Sequence, residues 1–266
     1  MEKPNWSGDR VLLGAHRGDR AHYPENTMVA FRAAVELGCD VIETDVRMTR
    51  DGQLVLIHDR SVERTTDGVG LVDEMTLAEL KEPDAGSWKD PTFCGERIPT
   101  VEEFLELIAP TGVLVNWELK EYPGDFGRER SFACADRLAE LIEKYGMTKR
   151  SMMNSFSEQV LEHYADRYPK RFQLHGYLRY KNPKDFAEKP LASFLDWAAI
   201  WRKDEAHPCG FAEDYAEADG HGLRTCILVP DRVEEYAAAL ARGCRMFTSD
   251  DPRAGIEVLR TLGERE

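Results

Sequence analysis

The chain has 266 residues, of which 42% are hydrophobic and 32% are charged, and this composition is typical of a globular protein rather than of a disordered one. The length fits one large α/β domain, so we expect residues 1–266 to form a single domain. The formal net charge of −14 argues against a nucleic-acid partner and against binding to an anionic membrane surface, because both would repel the protein at long range.

Two features of the sequence concern the compartment. No apolar run approaches membrane-spanning length, and the first ten residues contain no stretch typical of a signal peptide. The six cysteines form no C-x-x-C pair that would indicate zinc or redox chemistry; they are Cys39, Cys94, Cys134, Cys209, Cys226 and Cys244. We therefore expect a cytoplasmic protein without membrane insertion, whose reduced cysteines lie mostly in or near the core.

The first third of the chain predicts strands, one long helix and an insertion. An apolar run at residues 11–15 predicts a strand, and the helix that begins near Pro24 ends before Gly38. Residues 39–46 predict the second strand, and a tight turn then leads into residues 54–57, so that residues 46–57 resemble a hairpin. Residues 60–97 lack a clean period and hold one short helical candidate, at residues 77–80. We interpret this segment as an insertion on the rim of the fold.

Strands and helices alternate through the rest of the chain. Helices are predicted at residues 101–109, 128–145, 157–168, 212–218, 231–241 and 252–262, and strands at residues 113–119, 151–154, 172–177, 223–229 and 244–248. Residues 194–201 are compatible with either a strand or a short helix. This alternation predicts a parallel sheet with crossover helices, and roughly eight units fit the length. The pattern favours a TIM-type (β/α)8 barrel, with the insertion after the second strand, over an open doubly wound sheet.

Carboxylates alternate along two of the predicted strands. Glu43 and Asp45 are two residues apart, as are Glu118 and Lys120, so each pair lies on one face of its strand. In such a barrel the carboxyl ends of the strands meet at the active-site mouth. Three carboxylates that converge there make an all-oxygen site, which suits Mg²⁺ or Ca²⁺ rather than zinc.

Several short blocks of sequence occur in a fixed order: HRG at residues 16–18, PENT at 24–27, IETDV at 42–46, HD at 58–59 and RTT at 64–66. In this order and spacing they resemble the glycerophosphodiester phosphodiesterase family of metal-dependent TIM-barrel hydrolases. The similarity is close over residues 11–88, returns at NWELK, SF and SDDP of residues 116–120, 155–156 and 249–252, and is faint over residues 170–224. The resemblance implies that Glu43, Asp45 and Glu118 are metal ligands.

One stretch departs from the family pattern. Residues 228–231 read LVPD, where family members commonly have a Trp-Thr-Val-Asn-like sequence at the end of the seventh strand. An aromatic wall for the substrate is then either missing or supplied from elsewhere, for which Trp88 and Tyr177 are candidates. The departure concerns the range of substrates more than the chemistry.

A phosphodiester is an anionic centre with a poor alkoxide leaving group. Arg17 and Lys120 are candidates for binding the phosphate, because they would draw negative charge from its nonbridging oxygens; the alternative is that they only neutralise the carboxylates. His16 is the candidate base and His58 the candidate acid, although the sequence does not separate the two roles, and both histidines could instead be capping or core residues. The attacking group is either water or a neighbouring hydroxyl of the substrate, which would give a cyclic phosphate.

The function expected from these residues and from the resemblance is the metal-dependent hydrolysis of glycerophosphodiesters to glycerol 3-phosphate and an alcohol. A lysophospholipase D-like or cyclising phosphodiesterase is the alternative within the same chemistry, and it would need an apolar rim. A barrel that binds a phosphorylated ligand without catalysis is the alternative from another class, but it would not need two histidines. The chain has no G-x-G-x-x-G, Walker A or G-x-S-x-G motif, which removes the usual support for nucleotide-binding and serine-hydrolase functions.

Overall fold

A closed barrel of parallel strands forms the centre of the computed structural model, which describes residue 6 and residues 10–180, 182–201, 203–230 and 232–266. The strands within these residues are β1 (Leu12–His16), β2 (Val41–Met48), β3 (Leu54–Leu56), β4 (Leu114–Leu119), β5 (Ser151–Asn154), β6 (Gln173–Gly176), β7 (Trp197–Ile200), β8 (Arg224–Leu228) and β9 (Met246–Ser249). All except β3 are parallel to their neighbours, and β1 pairs with both β2 and β9, which closes the barrel. The predicted (β/α)8 architecture is confirmed.

Helices cover the outside of the barrel. They are α1 (Met28–Glu36), α2 (Leu77–Leu80), α3 (Val101–Ile108), α4 (Pro123–Phe126), α5 (Arg128–Lys144), α6 (Glu158–Arg167), α7 (Ala212–Gly220), α8 (Val233–Ala241) and α9 (Pro252–Thr261). None of the helices in the described part of the chain is long and apolar enough to cross a membrane.

The layer between the strands and the helices holds the largest apolar cluster. Trp117 on β4 is fully buried, and its ring packs edge-on against Phe104 of α3 with the ring centroids 5.3 Å apart. Trp117 alternates with Asn116 and Glu118, so burying its ring under the helices turns those polar neighbours into the barrel interior. The packing of one tryptophan thereby fixes which side of β4 carries the polar groups.

The structure resolves the element that the sequence left undecided. Residues 194–201 contain the strand β7, which is buried between β6 and β8. The predicted hairpin is also confirmed, because β3 pairs antiparallel with β2 through Val46 and Leu56. The short helix α4 was not predicted, and α8 begins at Val233 rather than at residue 231, which lies outside the described residues.

The insertion at residues 60–97 has a small core of its own, and this core packs on β3. Its one predicted helix is α2, which begins with a capping box in which Thr76 and Glu79 bond each other's backbone amides. Leu80 of this helix is fully buried in an apolar cluster with Val55 and Ile57, the residues that lead to His58. The insertion therefore supports the position of His58 at the barrel mouth.

Candidate active site

The chain turns sharply after β1, at the HRG sequence. His16 is the last residue of β1, and Arg17 has a φ of 57°, in the left-handed region that non-glycine residues rarely adopt. Gly18 follows with a φ of 81°, and a Cβ at this position would lie 2.8 Å from Ala30. Glycine is therefore required here. The turn directs the Arg17 amide to Glu43, whose carbonyl accepts at 2.9 Å and whose Oε2 lies at 3.2 Å.

The three predicted metal ligands come together inside the mouth of the barrel. The parallel register places Asp45 of β2 beside Glu118 of β4. Together with Glu43, each offers a carboxylate oxygen within 4.8 Å of those of the other two. Their exposed fractions are 2% for Glu43, 0% for Asp45 and 6% for Glu118. Buried like charges at this separation repel one another unless a cation lies close by.

The donor set of this cluster fits a hard divalent cation. Burial of Glu43, together with the charges of Asp45 and Glu118, raises the pKa of Glu43 well above its usual value. Its Oε1 atom is buried and has no hydrogen-bond partner among the described residues, although buried polar atoms are usually paired. An oxygen-only donor set with an unpaired buried acceptor fits a hard divalent cation such as Mg²⁺ or Ca²⁺.

Arg17 and Lys120 neutralise part of this negative charge. Arg17 Nε lies 3.1 Å from Asp45 Oδ2, and Lys120 Nζ lies 3.1 Å from Asp45 Oδ1 and also donates to Glu118. Burial opposes the charge of both cations, but the neighbouring carboxylates outweigh burial and raise the pKa of Arg17 and of Lys120 above their ordinary values. Burial also opposes the charge of Asp45, but Lys120 and Arg17 outweigh it and hold the pKa of Asp45 well below its ordinary value. The ion pairs that the sequence left as an alternative are thus present.

Lys120 is more buried than its position at a pocket mouth suggests. Only 6% of the residue is exposed, and its ammonium lies 5.9 Å from the centre of the Phe156 ring. The ammonium is therefore enclosed by protein and not solvated at an open mouth. The neighbours that enclose Lys120 come from β2 and from the end of β5, and the sequence of β4 does not show them.

Both predicted catalytic histidines are held by an aspartate at Nδ1. His16 Nδ1 lies 2.5 Å from Asp250 Oδ1, and His16 Nε2 lies 3.8 Å from Glu43 Oε2. His58 Nδ1 lies 2.6 Å from Asp59 Oδ1. A carboxylate at Nδ1 holds the proton of the neutral ring on that nitrogen, which leaves Nε2 free to accept another. Both rings are partly exposed, which argues against the core alternative for these histidines.

The protonation of these groups depends on their surroundings. Burial lowers the pKa of His58, and the charges of Lys120 and Arg17 lower it further against the opposing effect of Asp45. The pKa of Asp59 falls to about 2, because hydrogen bonds from Arg64 and His58 outweigh the effect of its partial burial. His58 is therefore a neutral imidazole beside an ionised Asp59 at neutral pH.

Several polar residues of the site were not predicted from the sequence. They are Arg20, Glu25, Asn26, Asp59, Arg64 and Asp250. Asn26 has a φ of 54°, and its side chain donates to Asp45 at 2.8 Å and accepts from Thr44 at 2.8 Å, so it fixes the carboxylate of Asp45. Five of the six lie in the PENT, HD, RTT and SDDP blocks, and their position in these blocks was the feature of the sequence that could have identified them as site residues.

A sequence profile of the glycerophosphoryl diester phosphodiesterase family matches residues 16–201. The chain belongs to this family. A glycerophosphodiester phosphodiesterase of Caldanaerobacter subterraneus subsp. tengcongensis is 35% identical over 263 residues, which cover 96% of this chain and 100% of that protein. The resemblance inferred from the short sequence blocks is thereby confirmed.

Solved structures of the family have the same fold. A glycerophosphodiester phosphodiesterase from Agrobacterium tumefaciens superposes with a TM-score of 0.72 at 26% identity, covering 91% of this chain and 97% of that one. A phosphodiesterase from Oleispira antarctica, solved in complex with the product sn-glycerol-3-phosphate, superposes with a TM-score of 0.79 at 24% identity, covering 94% and 96% of the two chains. At that identity the second comparison supports the fold alone.

Residues 228–231 contain no aromatic residue, and other rings lie beside the site. Tyr177 stacks on Phe156 with the ring centroids 3.6 Å apart, and Tyr180 and Trp201 pack edge-on against Phe156 at 4.9 Å and 6.1 Å. These four rings, which we call the aromatic cluster, follow β5, β6 and β7. Trp88, the other candidate, lies in the insertion, where it is 39% exposed and donates its ring N–H to Ala85.

Proposed function

We propose that this protein hydrolyses glycerophosphodiesters to glycerol 3-phosphate and an alcohol, with Mg²⁺ or Ca²⁺ held by Glu43, Asp45 and Glu118. The observation that carries the proposal is the joint position of two Asp-paired histidines and a buried cluster of three carboxylates at one end of the barrel. Family membership supports the reaction class, and the chemistry of the side chains supports these roles for them.

Arg17 and Lys120 bind the nonbridging phosphate oxygens in this proposal. Both are ion-paired with Asp45 in the structure. A cation held by Asp45 and Glu118 would supply the counter-charge that Lys120 now provides, and the Lys120 ammonium would then be free to contact the phosphate. When bound, a hard divalent ion supplies Lewis-acid stabilisation of the charge that builds up on the phosphoryl oxygens. The guanidinium of Arg17 adds directional N–H donors to the same oxygens.

His16 takes the proton from the attacking hydroxyl, and His58 donates a proton to the departing alkoxide. His58 is neutral in the substrate-free protein, partly because Lys120 and Arg17 repel its positive form. A bound phosphate that engages those two cations removes the repulsion and adds a negative charge, so the pKa of His58 rises and the ring gains the proton that an acid must carry. Substrate binding therefore prepares the acid.

The proposal is tested with purified protein that has been stripped of metal. Turnover of glycerophosphocholine and glycerophosphoethanolamine is measured without metal and with Mg²⁺, Ca²⁺ or Mn²⁺, and the product is identified by ³¹P NMR in ¹⁸O-labelled water. We expect glycerol 3-phosphate to form only with metal. A cyclic phosphate product would mean that the attacking group is a neighbouring hydroxyl of the substrate and not water. Ligand binding without any turnover would identify the non-catalytic alternative.

A matched pair of substrates separates the two histidines. A 4-nitrophenyl ester of glycerol phosphate has a leaving group that needs no proton, whereas an ethanolamine ester needs one. If His58 is the acid, His58→Ala should lose far less turnover on the nitrophenyl ester than on the ethanolamine ester. His16→Ala should lose turnover on the two esters by the same factor. The reverse pattern would exchange the two roles.

Two further inferences concern the whole chain. We infer one domain for residues 1–266, because β1 pairs with β9 and so joins the two ends of the chain in one sheet. We also infer a cytoplasmic location, which the six free cysteines support.

A further inference from the structure

Glu25 connects the two histidine–aspartate pairs through two arginines. On the His16 side, Arg20 donates to Glu25 Oε2 at 3.0 Å and to Asp250 Oδ1 at 3.3 Å, and Asp250 holds His16. Arg20 therefore links Glu25 to Asp250, which directly follows β9. Asp250 remains ionised in this setting, because the hydrogen bond from His16 and the charge of Arg20 lower its pKa despite burial.

The His58 side repeats this arrangement with a different arginine. Arg64 of the insertion donates to Glu25 at 2.8 Å and 3.1 Å, and its Nε donates to Asp59. Asp59 in turn holds His58. Each histidine thus has an aspartate at Nδ1, each aspartate has an arginine, and both arginines end on the same carboxylate. We call Glu25, Arg20 and Arg64 the Glu25 network.

Glu25 is fully occupied by these contacts. Arg17 also donates to Oε1 at 2.8 Å, so each carboxylate oxygen accepts two N–H groups. Its side chain is 3% exposed, which leaves it no access to substrate. An oxygen that already accepts two hydrogen bonds has no lone pair left for a metal ion. The remaining role for this carboxylate is to hold the three arginines.

We propose that Glu25 is a positioning residue that sets the orientation of both His16 and His58 through Arg20, Asp250, Arg64 and Asp59. This inference rests on the proposed function, in which the two histidines transfer protons. Proton transfer needs Nε2 of each ring within hydrogen-bond reach of the reacting oxygen, and an error of about 1 Å can cost about 100-fold in rate. One buried carboxylate that anchors both arms keeps the two rings in a fixed relation to each other.

Without Glu25, three guanidinium groups would repel one another in a confined space. Arg20 and Arg64 would still be attracted to Asp250 and Asp59, but nothing would hold their other ends. Each aspartate would then keep its charge and lose its fixed direction. The network also gives the RTT block of the insertion a role, because Arg64 of this block donates to both Glu25 and Asp59.

The test reads the histidine rings directly. The Nδ1 protons of His16 and His58 are observed by ¹H–¹⁵N NMR in the Mg²⁺-loaded protein, in which each hydrogen-bonded proton should give a slowly exchanging downfield signal. We expect Arg20→Gln to weaken the His16 signal only, Arg64→Gln to weaken the His58 signal only, and Glu25→Gln to weaken both. Asp19→Asn is the matched control, because Asp19 is a fully buried carboxylate that pairs with Arg253 and His22 and, among the described residues, makes no side-chain hydrogen bond to His16, to His58 or to the aspartates that hold them.

Turnover is measured on the same variants. Glu25→Gln should lower kcat by about 10- to 100-fold, the range typical for residues that orient catalytic groups, with the midpoint of Mg²⁺ activation unchanged. Unchanged signals from both rings in Glu25→Gln would overturn the proposal. If Glu25→Gln does not fold, the two arginine variants decide, since a variant that leaves its own ring signal unchanged, or alters both, contradicts it. Normal turnover of His16→Ala and His58→Ala would overturn the proposed function instead, whatever the ring signals show.

Discussion

The two sides of the barrel differ in the kind of polar group that they present to its interior. On the side formed by β1, β2 and β4, the groups are carboxyl groups and the cations that pair with them, and ligand oxygens of Glu43, Asp45 and Glu118 lie within 4.8 Å of one another. On the side formed by β5 to β7 they are neutral: the amide of Asn154 contacts the hydroxyl of Tyr177, and burial lowers the pKa of His175 to about 3. The charged side can stabilise a phosphoryl group, whereas the neutral side offers hydrogen bonds and ring faces. We infer that the first side sets the chemistry and the second contacts the organic part of the substrate.

Removal of the metal should have the largest effect, because it acts on the charged side alone. We expect a chelator to abolish turnover and Mg²⁺ or Ca²⁺ to restore it, since the site offers only oxygen ligands. Glu43→Gln should also raise the melting temperature of the metal-free protein, because it removes a carboxyl group whose ionisation is opposed by burial and by the charges of Asp45 and Glu118. Full turnover in excess chelator, or a less stable metal-free Glu43→Gln protein, would contradict the assignment of these carboxylates.

Loss of either catalytic histidine should come next. We expect His16→Ala and His58→Ala each to lower kcat by about 100-fold or more, as lost proton transfer does. His163→Ala is a matched control, because His163 also pairs with an aspartate, Asp136, at 2.8 Å, but outside the site. A kcat near the wild-type value for His16→Ala or His58→Ala would remove that histidine from the reaction.

The same comparison shows how far the sequence could predict the site. The convergence of Glu43, Asp45 and Glu118 follows from strand alternation and from the barrel, so it could be predicted locally. The partner of His16 could not, because Asp250 lies 234 residues further along the chain and only the closure of β1 against β9 brings it near. The burial of Lys120 could not be predicted from β4 alone, because Asp45 and Phe156, which enclose it, are distant in the sequence.

The neutral side was also the harder side to predict. The similarity to the family was faint over residues 170–224, and residues 194–201 gave no clear period, because a short, mostly apolar run fits a buried strand and a buried helix equally well. Only its pairing with β6 and β8 identifies β7 as a strand. Trp201, which follows β7, therefore entered no prediction, although its ring contacts Tyr177.

Lys120→Met should separate two roles of Lys120 on the charged side, the neutralisation of carboxylates and the binding of phosphate. Removing this buried cation takes away the counter-charge of Glu118 and leaves Asp45 with Arg17 as its one remaining cation, which we expect to cost the metal-free protein about 3 to 5 kcal/mol in the free energy of unfolding. Added metal should recover the melting temperature, because it binds only the folded protein, but it should not recover kcat. Thermal melts and turnover are compared with and without metal. Recovery of both would mean that Lys120 only neutralises the carboxylates.

Glu25 gives a prediction about acid stability. Burial opposes its charge, but hydrogen bonds and charges from Arg64, Arg17 and Arg20 outweigh burial and lower its pKa from 4.5 to about 2. Because the folded pKa is the lower one, this carboxylate stabilises the fold above pH 4.5, and the stabilisation is lost as the pH falls towards 2. We expect wild type to exceed Glu25→Gln by up to about 3 kcal/mol at pH 7 and the two to converge near pH 2. A difference in stability that does not change with pH would contradict this.

The smallest effect should come from the neutral side, where Trp201 and Trp88 make a matched pair of tryptophan-to-alanine variants. Trp201 packs against three other rings of the aromatic cluster, whereas Trp88 is 39% exposed in the insertion. If the aromatic cluster contacts the organic part of the substrate, Trp201→Ala should raise KM by about three- to tenfold, the loss expected for one aromatic contact, with a much smaller change in kcat. Trp88→Ala should leave both constants unchanged.

An increase in KM for Trp88→Ala alone would mean that the insertion, and not the aromatic cluster, contacts the organic part of the substrate. A fall in kcat for Trp201→Ala as large as that for the histidine variants would mean that the two sides of the barrel do not divide chemistry from recognition.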